Sequence, residues 1–366
     1  MNVKKVLAVV VASGCGFSGS SGKPDASLNQ LDAPSSEVCR GPAGWKVCVA
    51  DPSPGMITLT GPFNTTNDGH CMTPTPTSWT STQGDACVVS GTQITVTDTL
   101  RVTGARPLVL VATQTILVDV LDASSTRAGV TGPGAIGAPC ATSTPGATST
   151  LRGGGGGGGS FATKGGDGGD GDGGNATHGL AGNVVMTPYA RLRGGCAGGA
   201  GGTGAAGTTG PGAAGGGAVY LTAPTITITG GINLSGAGGG GGTASRAGGG
   251  GGGSGGMLVL DAMTLTVSGK IAANGGGGGG GADNSTNGSL GNDPSLANPS
   301  TIAAGGNGGG GAGGNGGSGA AGGTLTGVTA AQANDGAGGG GGGLGVLRVL
   351  SGQPLSGPLI SPSSTN

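Results

Sequence analysis

Residues 217–236 read GAVYLTAPTITITGGINLSG. Val219, Leu221 and Ala223, then Ile226 and Ile228, then Ile232 and Leu234 are apolar at every second position. Thr222, Thr225, Thr227, Thr229 and Asn233 fill the gaps. Alternation with period two is the signature of a half-buried β-strand, here repeated around short breaks.

The same unit recurs along the chain. Leu108, Leu110, Ile116 and Val118 repeat it over 106–123, and Leu258, Leu260, Leu265 and Val267 over 256–275. A partial copy, Leu347-Arg348-Val349, follows Gly345. A shorter alternation sits at Ile57 and Leu59, and another runs through Ile94, Val96, Leu100 and Val102. No copy is long enough to enclose a core alone, but stacked in parallel the copies bury a shared interior and pair each other's backbones. The expected fold is therefore all-β, a parallel β-helix or β-solenoid. A β-sandwich ranks lower, because no two-residue Asn-Gly or Asp-Gly turn joins the strands.

Glycine-rich insertions leave each copy after its third strand, spanning about 124–216, 237–255 and 276–342. Residues 153–159, 248–253 and 275–281 are pure glycine. Such runs are either disordered or packed as polyproline-II-like strands, which approach closely because glycine has no Cβ. The near absence of charge and the return to well-patterned strands favour packing. The remaining organisation is a signal at 1–15, a flexible tether at 16–37, a disulfide-stapled cap at 38–90, the solenoid over 91–350 and a tail at 351–366.

Composition excludes several classes. Of 366 residues 96 are Gly and 20 are Pro, without the every-third-residue glycine of collagen. A net charge of −1 gives no electrostatic case for nucleic acid. Glu37 is the only glutamate, and His70 and His178 are the only histidines, so the acid–base inventory is thin.

The chain opens with Lys4 and Lys5, an apolar run from Val6 to Ala12, and then Ser13-Gly14-Cys15. That is the layout of a secretory signal, and the run is too short to span a bilayer. The Gly-Cys ending resembles the bacterial lipobox, although Ala12 stands where Leu is usual. The resemblance implies a lipid on Cys15 and, with no Asp after it, retention at the outer membrane. Setting Cys15 aside leaves six of the seven cysteines, Cys39, Cys48, Cys71, Cys87, Cys140 and Cys196. Six suffice for three disulfides in an oxidising compartment. Sequence does not fix the pairing; pairing in chain order gives Cys39–Cys48, Cys71–Cys87 and Cys140–Cys196. Zinc ligation is the weaker alternative, since the spacings are wrong and no His lies beside them.

Several stretches resemble the glycine-rich exported proteins and lipoproteins of myxobacteria: RPLVLVA at 106–112, LRGGC at 192–196, GGAVYL at 216–221, INLSGAGG at 232–239 and ANGGGGGGG at 273–281. The likeness covers roughly 38–350. It implies export and architecture and brings no catalytic residues.

Three sets of residues are candidates for chemistry. Asp167, Asp170, Asp172 and Asn175 lie on one glycine loop and are candidate ligands for Ca²⁺, the one cofactor suggested. Neither the EF-hand spacing nor a nine-residue calcium repeat is present, and a solvated polar patch is the plainer reading. The pairs Thr58/Thr60, Thr95/Thr97, Thr225/Thr227/Thr229 and Thr264/Thr266 suggest a ranked outer face of the kind seen in ice-binding proteins. Leu117 and Asp119 interrupt it, and threonine is a favoured strand residue anyway. A carbohydrate-active enzyme on a β-helix needs converging acids. Asp119, Asp122 and Asp261, with Arg101, Arg106, Lys270 and Arg348, are the charges on the repeat strands.

Taken together, these features read as an exported, lipid-anchored surface protein with a structural or adhesive role and no catalytic activity. Its expected partners are the outer membrane through the lipid, and matrix polysaccharide or other surface proteins. A carbohydrate-active enzyme and a calcium-dependent binder are the alternatives.

Overall fold

The computed structural model describes residues 36–365 apart from 52–53, 128, 136–139, 141, 205 and 351–353. Cys15 and most of the tether fall outside these. Two strands, β1 (Ser36–Arg40) and β2 (Val47–Asp51), form an antiparallel pair. They are followed by β3 (Met56–Asn64) and a short helix α1 (Thr77–Gln83). The long strands β4 (Cys87–Thr103), β5 (Leu108–Asp122) and β6 (Ala218–Asn233) come next. The chain ends with β7 (Met257–Val267), β8 (Lys270–Ala272), β9 (Val346–Val349) and β10 (Ile360–Ser361).

Apart from β1 and β2, all these strands belong to one large parallel sheet ordered β10-β8-β6-β5-β4-β3, with β7 between β6 and β9. The register aligns the repeat copies: Leu108 pairs with Val219, Val219 with Leu258, and Leu258 with Leu347. It also brings the alternations at Ile57 and Ile94 into register with the repeat copies. Ile94 of β4 aligns with Ile116 of β5, and Ile57 of β3 aligns with Ile94. Met56–Asn64 is the edge strand of the sheet, and β10 from the tail pairs with β8.

Each long strand is interrupted by two shifts of register, in β5 between Val111 and Thr115 and between Val118 and Val120. Such irregularities bend a strand, and at the second one in β4 Asp98 takes a left-handed φ of 53°. Three short segments result, and the inward residues of all three share one core. Leu110, Ile116 and Leu121 belong to the same cluster as Leu221, Ile226 and Ile232. Each fully buried aliphatic side chain contributes roughly 1.5–3 kcal/mol relative to leaving it in water.

The first segment is buried on both faces, which explains why LVLVA at 108–112 is continuously apolar whereas TITI at 225–228 alternates. Val109, Val111, Tyr220 and Val259 turn away from the main core into a second cluster with Trp45, Trp79 and Phe161. The disulfides Cys39–Cys48, Cys71–Cys87 and Cys140–Cys196 are all formed. They tie β1 to β2, the loop before α1 to β4, and two parts of the first insertion to each other.

The glycine insertions pack against one another. Gly153, Gly156 and Gly159 donate their N–H groups to the carbonyls of Arg246, Gly249 and Gly252, at 2.8, 3.0 and 2.9 Å. Gly154 and Gly157 donate to Ala147 and Thr144, and Gly155 and Gly158 to Gly169 and Gly166. Successive N–H groups therefore address three neighbours in rotation, the three-residue turn of a polyproline II helix. The carbonyls do likewise: Gly153, Gly156 and Gly159 accept from Ala337, Gly340 and Gly343, and Gly154 and Gly157 from Gly202 and Gly199. Gly155 accepts from Gly179, and Gly158 from the Ser143 hydroxyl. Every N–H and C=O of residues 153–159 is thus paired, which burial of the whole run demands.

This spacing leaves no room for side chains. A Cβ at Gly156 would lie 2.1 Å from the Gly199 carbonyl oxygen, and one at Gly155 1.8 Å from that of Gly338. Gly323 meets nothing within 4 Å. Gly156→Ala should therefore cost about 3 kcal/mol, the upper end of overpacking. Gly323→Ala should change stability by less than about 1 kcal/mol. Thermal denaturation of the two variants side by side checks this; equal melting temperatures would contradict the close-packed bundle.

Candidate functional site

The calcium candidates sit at a bend between two glycine segments, where each finds a separate partner. The Asp167 carboxylate accepts from the Ala181 N–H at 2.8 Å and lies 3.5 Å from the Lys164 ammonium. Asp170 accepts from both the backbone N–H and Nδ1–H of His178, at 2.8 and 2.7 Å. Asp172 is paired with Arg152, and the Asn175 side chain donates to the Asp172 carbonyl at 3.0 Å. The loop does not gather these groups. Among the described residues, the one trio of acids, histidines and cysteines with ligand atoms within 4.8 Å of one another is Glu37, Cys39 and Cys48. There both sulfurs are already joined to each other.

Two of the three carboxylates named on the repeat strands have separate partners. Asp122 is held by Arg101 at 2.7 Å and by the Ser124 hydroxyl at 2.7 Å. Asp261 accepts from the Thr222 hydroxyl at 3.1 Å, with the Tyr220 hydroxyl at 3.5 Å. Asp119 is exposed in a shallow groove with Asp98 and Thr97. The cations are engaged too: Arg106 Nε donates to the Thr65 carbonyl at 2.7 Å, and Lys270 Nζ to that of Ala297 at 2.7 Å. Arg348 lies over the Trp45 ring, 5.6 Å from its centroid. His70 and His178 each donate through Nδ1 to an aspartate.

The threonines form aligned ranks on the outer face of the middle segment. Thr58 stands beside Thr95, then Leu117, Thr227 and Thr266. In a neighbouring rank Thr115, Thr225 and Thr264 are aligned. Leu117 interrupts the first rank at its centre.

Two features escaped the sequence reading. One is an aromatic cluster in which Tyr220 stacks on Trp79 at 5.5 Å and meets Trp45 edge-on at 5.7 Å. The other is an ionic node in which Asp335 lies 3.0 Å from Arg152 and 3.1 Å from Arg246. Arg152, Arg246 and Asp335 immediately precede three glycine-rich runs that lie parallel and hydrogen-bonded to one another. The node sets their common starting level. Its only sequence signal was a charged residue at the head of each run.

No protein-family model, curated protein or solved structure matches this chain.

Both tyrosines, Tyr189 and Tyr220, are held un-ionised. Burial, followed by the charge of Asp261, pushes the Tyr220 phenol far above its ordinary 10.0. Burial also raises Tyr189. Both phenols ionise more readily in the unfolded chain, so their contribution to stability is full below that ordinary value and is lost as pH rises through the folded ones. Absorbance titration should show Tyr220 ionising only as the fold is lost in stronger alkali, and Tyr189 ionising above its ordinary pH. A normal transition in protein that still gives a folded circular dichroism spectrum would contradict this packing.

Proposed function

We propose that the protein is an exported, lipid-anchored structural component of the cell surface, built as a β-solenoid with glycine arrays on its flank and without catalytic activity. The observation that carries this reading is the complete backbone pairing of the glycine run 153–159 within a hydrogen-bonded bundle of such runs. A large share of the chain goes into a rigid bundle that presents almost no side chains, which is a use for a scaffold and not for a reacting centre. Three formed disulfides fit an oxidising compartment. Asp122 and Asp261 are each engaged by separate partners, and Asp98 and Asp119 share a groove that is shallow and exposed. The outer threonine face is the surface offered to matrix polysaccharide or to other surface proteins.

Labelled fatty acid supplied to expressing cells should be incorporated into the protein. Cys15→Ala should abolish the label and move the protein from the membrane to the soluble exported fraction. An unlabelled parent protein found in the cytoplasm would remove the reading.

A further inference from the structure

One run of the bundle, residues 237–243, has neighbours around only part of its circumference. The N–H groups of Ala237, Gly240 and Thr243 donate to the carbonyls of Ala214, Pro211 and Thr208, at 3.0, 2.9 and 3.0 Å. Those of Gly239 and Gly242 donate to Gly277 and Gly280. On the acceptor side, Ala237 and Gly240 take the N–H groups of Gly253 and Gly250, and Gly239 and Gly242 those of Gly291 and Gly288. The third direction belongs to residues 235, 238 and 241. This chain fills it for one turn: the Ser125 N–H donates to the Ser235 carbonyl at 2.9 Å. The chain then turns back, with the Thr126 N–H on the Val130 carbonyl at 2.8 Å. Beyond that turn, the carbonyls of Gly238 and Gly241 have no partner among the described residues. The Gly238 N–H is taken by the Asp293 carboxylate at 2.7 Å.

The vacated line is a groove of about 300 Å³. Gly238 and Gly241 line it, together with Pro211 and Ala213 of one neighbouring run, Leu290 of another, and Val130 of the turn. Val130 and Leu290 are 38% and 51% exposed. Arg127, the one charged side chain in the lining, is bonded to the Asn292 side chain at 3.1 Å. Apart from position 128, the turn and the runs 208–214, 237–243 and 288–293 are described throughout.

The spacing of the free carbonyls selects the occupant. They repeat after three residues, about 9 Å, which is one turn of a polyproline II helix. A β-strand presents N–H groups to one side every two residues, at about 6.7 Å, and an α-helix spends its own amides internally. Approach at the spacing of the bundle excludes a Cβ, since one at Gly240 would lie 2.3 Å from the Pro211 ring. The residue whose N–H meets the floor is therefore glycine, while the two between face the walls or solvent.

We propose that this groove binds a single polyproline II segment of another protein, with glycine at every third residue. The segment takes the place of the missing run, and two of its glycine N–H groups donate to the carbonyls of Gly238 and Gly241. Val130 and Leu290 are covered by the side chains that flank those glycines. The inference goes beyond the reading above and concerns the bundle alone, with or without a lipid on the chain.

The test uses the full chain with Cys15→Ser and a fluorescent peptide, acetyl-(Gly-Ala-Pro)4, followed by fluorescence anisotropy. The peptide should bind saturably. Replacing its glycines by sarcosine removes the N–H donors and should weaken binding at least about tenfold, the worth of two hydrogen bonds. Replacing them by valine should do the same. On the protein, the double variant Val130→Asp and Leu290→Asp should lose binding, while Met186→Asp, on an exposed residue outside the groove, should retain it. No binding to the parent, equal binding of the sarcosine peptide, or undiminished binding to the double variant would overturn the proposal. Binding seen only after residues 16–35 are deleted would overturn it in favour of this chain's own segment. Self-association of the parent that the double variant abolishes would overturn it in favour of a second copy.

Discussion

Close approach of backbones without side chains is the constraint on which the structure depends. Glycine loses more conformational freedom on folding than any other residue, and an ordered run of seven is costly to form. The bundle offsets that cost by pairing every amide and carbonyl of residues 153–159 with a neighbouring segment. In collagen the three strands share one crowded axis that admits only glycine. Here the runs are surrounded on several sides at once, and in the central ones each triplet residue faces a backbone. That is why glycine fills whole runs and does not merely recur every third position.

The sheet and the bundle depend on each other. Each insertion leaves the sheet at the end of a third segment, and the strand register brings the starts of the insertions together. Ser125 lies beside Ser235, and Gly236 beside Asn274, through backbone bonds of 2.9 Å at these exits. The insertions in turn cover what would otherwise be a bare apolar face. Phe161, Leu192 and Cys196 of the first insertion pack in the cluster that contains Val109, Tyr220 and Val259. The ionic node of Arg152, Arg246 and Asp335 aligns three runs at one level. Because glycine carries no side-chain information of its own, register has to be supplied from the ends.

The sheet was largely legible in the sequence. Inward positions such as Leu108, Ile116, Val219 and Ile226 follow from alternation alone, since burial on one side of a strand imposes a period of two. The copies at β3 and β4 were harder to see, because Thr99 and Gln93 stand where other copies have Val120 or Thr115 and the corner spacing differs. Neighbours within the bundle were not legible at all: one glycine run resembles another, and which runs touch is decided by three-dimensional packing. The candidate site fared similarly. Asp167, Asp170 and Asp172 were found by their proximity in sequence, yet on a chain with a three-residue turn Asp167 and Asp170 stand a full turn, about 9 Å, apart, and Asp167, Asp170 and Asp172 each take a separate partner. The aromatic cluster joins Trp45 and Trp79 to Tyr220, and no local pattern links residues so far apart.

The three-residue turn of the bundle also restricts how these runs can change in length. Insertion of a single glycine turns every later amide by a third of a revolution and redirects it from one neighbour to another. Two glycines do the same in the opposite sense, whereas three restore each donor to its original acceptor segment one turn further along. Slippage during replication of a monotonous glycine-coding tract would therefore be harmless only in steps of nine nucleotides, even though every multiple of three keeps the reading frame.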